Sequence, residues 1–202
     1  MSLRLFVEYI QVFKTMRPLG RIAHLDAGIH AITSQGGVSI LEHVLADVAD
    51  TEFHSAEEED LTLEINRILF RLAKDPTALK QLKQSQVTDA LLTIIDRFPA
   101  EEQPHIQRVI GKTINKISGD TMDDLLSALQ EGHQGTKAQE RTMRLLAALA
   151  VGDGQEQFSR SGGVGTIINN FENMVSARAI EETAKAIARF AASRTNIGDT
   201  TP

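Results

Sequence analysis

An all-α fold assembled from stacked helical repeats is what this 202-residue sequence predicts, and three observations predict it. Apolar residues recur with helical spacing, and even the β-branched ones sit inside it, as in Ile65, Ile68, Leu69 and Leu72. Glycines and prolines fall between such segments rather than inside them. Related segments also return at intervals close to the roughly 40 residues of a helical solenoid unit. Composition agrees, with 42% hydrophobic and 24% charged residues in a chain long enough to bury a core without staples.

The elements follow in chain order. Leu3, Phe6, Ile10 and Phe13 form one stripe, which predicts an amphipathic capping helix over residues 2–16. Arg4, Lys14 and Arg17 give this stretch a faint likeness to a mitochondrial presequence, and Glu8 and the shortage of Ser count against it, so a cytoplasmic chain is expected. Pro18 and Gly20 are expected to end that helix, and Gly36-Gly37 to open another. The acidic stretch Thr51 to Asp60 reads as the longest loop. Further breaks at Pro76, Pro99 and Pro104, Gly119, Gly132 and Gly135, Gly152 and Gly154, and Gly162-Gly163 give nine or ten helices. The polar end, residues 193–202, reads as a flexible tail beyond a single repeat domain over residues 1–192. No apolar run approaches the length of a membrane span.

Two elements repeat. Glu64 to Ala73, Val109 to Ser118, Arg141 to Ala150 and Glu182 to Ala191 each end in a large apolar residue followed by a small one. Their ends lie 45, 32 and 41 residues apart. A second element, Gly36-Gly-Val to Leu45, matches Gly162-Gly-Val to Phe171, with Ser85 to Ile94 as a weaker copy. Val87 and Val164 each follow the preceding repeat end by 14 residues. Together the two elements resemble the armadillo repeat family, whose unit pairs a Gly-Val/Ile helix with a longer helix ending in Leu-Ala. The resemblance covers about residues 22–192 in four degenerate units, and the unit ending at Ser118 departs most from the pattern. It implies a right-handed α-solenoid with a concave and a convex face.

Counting back from each terminal small residue, positions −1, −4 and −5 should be core: Leu72, Leu69, Ile68; Ile117, Ile114, Thr113; Leu149, Leu146, Leu145; Phe190, Ile187, Ala186. The resemblance implies that positions −6 and −2 line the concave groove. Those positions hold Arg67 and Arg71, Lys112 and Lys116, Arg144 and Ala148, then Lys185 and Arg189. Seven of the eight are basic in a chain of 21 basic and 27 acidic residues. The Trp/Asn ladder of the family's nuclear-import receptors is missing, and the likeness shifts to the catenin-like members that hold acidic segments. Against this stand the neighbouring acids Glu64, Glu140 and Glu181, placed three or four residues before Arg67, Arg144 and Lys185, which could neutralise the ladder locally.

Catalytic patterns are missing from the sequence. Zero Cys excludes a disulfide scaffold, a thiolate metal site and a Cys nucleophile. The six His, at 24, 30, 43, 54, 105 and 133, form no close ligand pair. Gly162 to Gly165 lacks the Lys-Ser/Thr of a phosphate-binding loop, and Glu57 to Asp60 lacks the spacing of a calcium loop. The expectation is therefore a non-enzymatic protein-interaction module without cofactor or metal. Its partner would be a protein with an acidic or phosphorylated extended segment. A structural subunit held through the convex face and the N-terminal helix, Phe6 and Phe13 included, is the alternative. One Tyr and no Trp leave little for RNA bases to stack on, and RNA ranks third.

Overall fold

The computed structural model describes residues 14–50, 56–98, 103–130, 136–149, 153–171 and 176–195. Among them lie twelve helices and no strand, so the all-α class holds. By its contacts the chain forms two compact units, Met1–Ile94 with Lys116–Ser118, and Ile95–Asn115 with Gly119–Pro202.

The first unit begins with α1 (residues 14–22), followed by α2 (Asp26–Ser34), α3 (Gly37–Asp50), α4 (Ala56–Leu72), α5 (Pro76–Gln84) and most of α6 (Val87–Arg97). Pro18 and Gly20 do not end a helix, as the sequence had led us to expect; both lie inside α1, and residues 2–13 fall outside the described residues. Gly20 instead lets α4 come close, since a Cβ there would meet Glu64 Oε1 at 2.1 Å, and its carbonyl accepts from Arg71 Nη1 at 2.6 Å. The break comes later, at residues 23–25, where no Gly or Pro marks it. The acidic stretch is also helical from Ala56 on, with Glu57, Glu58 and Glu59 in the first turn of α4. Carboxylates there face the positive end of the helix dipole. Residues 51–55 lie outside the described residues. Helix α2 packs on α3, α4 and α5, and the core gathers Leu41, Leu45, Ile65, Leu69, Leu82 and Leu91, all fully buried. Each such side chain contributes on the order of 1.5–3 kcal/mol of transfer free energy.

Helix α5 starts on Asp75, whose side chain accepts from the Ala78 amide at 2.8 Å, with Pro76 at the first helical position. It ends at Ser85, whose hydroxyl donates to the Leu82 carbonyl at 2.8 Å. That local bond stops the helix without a glycine and starts α6. Breaks at residues 23–25 and 85 raise the helix count above the nine or ten expected.

The second unit holds most of α7 (Pro104–Ser118), then α8 (Met122–Gln130), α9 (Thr136–Leu149), α10 (Asp153–Arg160), α11 (Gly163–Asn170) and α12 (Ala177–Thr195). Gln107 of α7 donates from Nε2 to the carbonyls of Ile95 and Phe98, satisfying the open end of α6. Helix α7 closes at Gly119, which takes φ 72° and donates its amide to the Asn115 carbonyl at 3.0 Å. Helix α8 opens on a reciprocal box: Thr121 donates its amide and hydroxyl to Asp124 Oδ2, and the Asp124 amide donates back to Thr121 Oγ1. Those bonds hold the Asp124 carboxyl below its ordinary range. Helix α9 packs chiefly against α12 and α8, and α11 packs against α8 and α10.

Between the repeat ends at Ser118 and Ala150 stand only α8 and α9, where the other described intervals hold three helices. One helix fewer accounts for the 32-residue spacing. The matching Gly-Gly-Val elements share a backbone: Gly36 takes φ 74° and Gly162 φ 70°, and their carbonyls accept from the first turn of the helix that follows, Gly36 from the Ser39 and Ile40 amides and Gly162 from the Thr166 amide. The side chains differ, with Val38 buried and Val164 42% exposed. Of the twelve core positions, the three of α4, the three of α7 and the three of α9 are buried, as is Ala186. Ile187 departs from the expectation at 37% exposure, because no described helix follows α12 to cover it, and Phe190 lies outside the described side chains. Helix α12 itself runs to Thr195, past the expected start of the tail.

Candidate functional site

The seven basic residues of the ladder meet different fates. Arg67 is exposed and pairs with Glu64 at 3.1 Å, one turn back on α4. Arg71 is spent on the Gly20 carbonyl. Arg144 is mostly buried and reaches across to Asp96 of α6 at 3.2 Å, while Glu140, its expected helical partner, accepts instead from Ser176 Oγ at 2.8 Å. Ala148, the uncharged position of the frame, is buried against α7. Lys185 bonds Glu181 at 2.9 Å and Glu182 at 3.1 Å. Arg189 lies in α12 but outside the described side chains. Only Lys112 and Lys116 are exposed and carry no ion pair among the described residues.

Helix neighbours therefore neutralise Arg67 and Lys185, whereas Arg144 and Arg71 are engaged by Asp96 and the Gly20 carbonyl, far off in sequence. At Lys185 partial burial pulls the ammonium pKa down, but the hydrogen bonds it donates to Glu181 and Glu182 and the charges of Glu182 and Asp96 outweigh it and leave a net rise. A raised lysine pKa adds stability that is complete below the unfolded value and is lost as pH rises through the folded one. The stability difference between the parent and Lys185→Met, followed by urea unfolding, should accordingly stay constant near neutral pH and shrink through the alkaline lysine range. A difference that does not change there would mean the two carboxylates contribute nothing to folding.

Helix α7 presents what remains. Lys112 and Lys116 share a face with Arg108, a further four residues back, and all three are exposed. The repeat frame missed Arg108, because it looked only at positions −6 and −2; the simple i, i+4 rule would have found it. Arg108 and Lys112 border a cleft of about 210 Å³ in the second unit, with Asn115 on the same helix. Ala148 and Leu149 of α9 and Gly154 and Gln157 of α10 complete it. Here α7 and α9 approach closely: a Cβ on Gly111 would meet the Ala148 carbonyl oxygen at 2.5 Å. No carboxylate lines this cleft among the described residues, and Glu156 of α10 is paired with Arg160.

A larger cleft, about 460 Å³, lies in the first unit and is lined by His24, Asp26, Arg71, Lys74 and Asp75 among others. Its charges are of both signs and partly used: Arg71 holds Gly20, and Asp75 caps α5. It therefore offers no unbalanced charge to a ligand. Of the histidines, His43 Nδ1 lies 2.9 Å from the Ser39 carbonyl one turn back, and His54 and His133 lie outside the described residues. Among the described residues no group of three or more His, Cys, Asp or Glu converges as a metal site. No described helix is long and apolar enough to cross a membrane. Comparison with protein-family models, with curated proteins and with solved structures returns no match.

Proposed function

We propose that this chain is a non-enzymatic, cytoplasmic interaction module of the armadillo-like, right-handed solenoid kind, and that it holds an extended acidic or phosphorylated segment of a partner protein. The observation that carries this reading is the row Arg108, Lys112 and Lys116 on α7, exposed and without an ion pair among the described residues, in a chain of net charge −6. Support for the repeat architecture comes from like helices one repeat apart that pack on each other, α9 with α12 and α8 with α11, and from the shared left-handed glycines at 36 and 162.

Successive cations on one helix face are about 6 Å apart along the axis. Alternate side chains of an extended segment are about 6.6 Å apart. A segment with acids at every second residue thus fits α7. The decisive experiment is fluorescence anisotropy with a labelled peptide of that pattern. Affinity should fall several-fold between about 0.05 M and about 0.3 M salt. The double change Lys112→Glu, Lys116→Glu should weaken it by about tenfold or more, while Arg67→Gln leaves it unchanged. Binding insensitive to both salt and charge reversal, or no binding, overturns the reading.

The alternative, a structural subunit of a larger assembly, draws support from Val164, Ile168 and Phe171, which expose an apolar row on and just beyond α11. Phe6 and Phe13 lie outside the described residues.

A further inference from the structure

We infer that the cleft between α7, α9 and α10 is a phosphate site, and that the residue it receives is a phosphoserine or phosphothreonine of the bound segment. The inference rests on the interaction-module reading and narrows it from negative charge in general to one dianionic group. Arg108 and Lys112 bring two positive charges to one rim, and no acid on the cleft lining offsets them among the described residues. A phosphomonoester carries about −1.5 to −2 charge at neutral pH, whereas a carboxylate carries one. Charge balance therefore favours phosphate.

Geometry points the same way. The guanidinium fork matches two oxygens of one tetrahedral group, and lysine adds a point charge that takes a third. Gln157 of α10 adds a carboxamide, which carries donors as well as an acceptor, to the lining. Gly111 and Gly154, both on the lining, sit tight against backbone, since a Cβ on either would run into the carbonyl oxygen of Ala148 or Leu149. The cleft, about 210 Å³, has room for a phosphorylated side chain. Glu156, the nearest described acid on α10, is held by Arg160.

The test is ¹H–¹⁵N correlation spectroscopy of the full chain titrated with three probes: N-acetyl-O-phosphoserine amide, N-acetyl-glutamate amide and inorganic phosphate. The phosphoserine probe should move the amides of Gly111, Asn115 and Gly154 saturably and bind about fivefold or more tighter than the glutamate probe. Its affinity should fall as pH drops through the second phosphate pKa, about 6. Arg108→Gln with Lys112→Gln, both exposed and without an ion pair among the described residues, should weaken it by about tenfold or more without altering the fold. Equal affinity for the two amino-acid probes overturns the phosphate inference, as does inorganic phosphate binding as tightly as phosphoserine. The acidic-peptide titration separates the levels: peptide binding without a response at the cleft refutes this inference alone, and failure of both refutes the module reading as well.

Discussion

Replacing Gly111 by alanine is expected to destabilise the protein by about 2 kcal/mol, whereas the same change at Gly165 should stabilise it by about 0.5–1 kcal/mol. Both glycines lie inside helices, so both substitutions gain the same helix propensity. They differ in what a Cβ would meet. At Gly165 nothing lies within 4 Å. At Gly111 the Ala148 carbonyl oxygen stands 2.5 Å away, and it belongs to backbone that cannot rotate aside. The two helices must separate, and overpacking of that kind costs about 1–3 kcal/mol beyond the propensity gained. For a chain of this length each kcal/mol moves the melting temperature by about 2–4 °C. Thermal unfolding of the two variants beside the parent reads the contrast directly. A Gly111→Ala protein as stable as the parent would place α7 and α9 farther apart than they are here. The change also separates two helices that line the cleft, so phosphoserine binding should weaken with it, while Gly165→Ala leaves binding intact.

The sequence carried the helices and the buried faces because both follow from short-range periodicity. Leu69, Ile114 and Leu146 are apolar at helical spacing, and burial follows from that spacing alone. Corners with a left-handed glycine were equally legible at Gly36 and Gly162. Corners without one were not. Ser85 ends α5 through its own hydroxyl, and Leu25 precedes α2 in extended conformation with no side-chain cap. Pro18 misled because a proline reports only the hydrogen bond it lacks, not whether the surrounding packing tolerates the loss.

The ladder was legible as a pattern of charge but not as a pattern of free charge. Glu64 and Glu181 neutralise Arg67 and Lys185 along one helix, which spacing allows one to foresee. Asp96 lies 48 residues before Arg144, and Gly20 lies 51 before Arg71, so those pairings depend on the fold. What distinguishes α7 is that no such acid pairs with Lys112 or Lys116 among the described residues, and a long-range absence has no local signature.

Phe158→Ala should be the most destabilising single change in the second unit, by about 3–5 kcal/mol. The ring is 1% exposed, and it packs against the start of α11: a Cβ on Gly163 would stand 2.5–2.6 Å from three ring atoms. Removing the ring leaves a cavity that the helices cannot close without moving α10. Leucine at the same position keeps most of the volume and should cost less than about 1.5 kcal/mol. Gly163→Ala alone should also destabilise, since the ring has nowhere to go. In the double variant Phe158→Ala, Gly163→Ala the new methyl enters the vacated space, so the two losses should sum to more than the measured loss by about 0.5–3 kcal/mol. Urea unfolding of the four proteins measures that coupling, and strict additivity would remove the contact. The same cycle bears on function, because Gln157 and Gly154 reach the cleft from the helix that Phe158 anchors. Where the coupling restores stability, phosphoserine binding should return with it. Stability recovered without binding would mean that α10 settles in a new position and that the cleft depends on this ring for its shape.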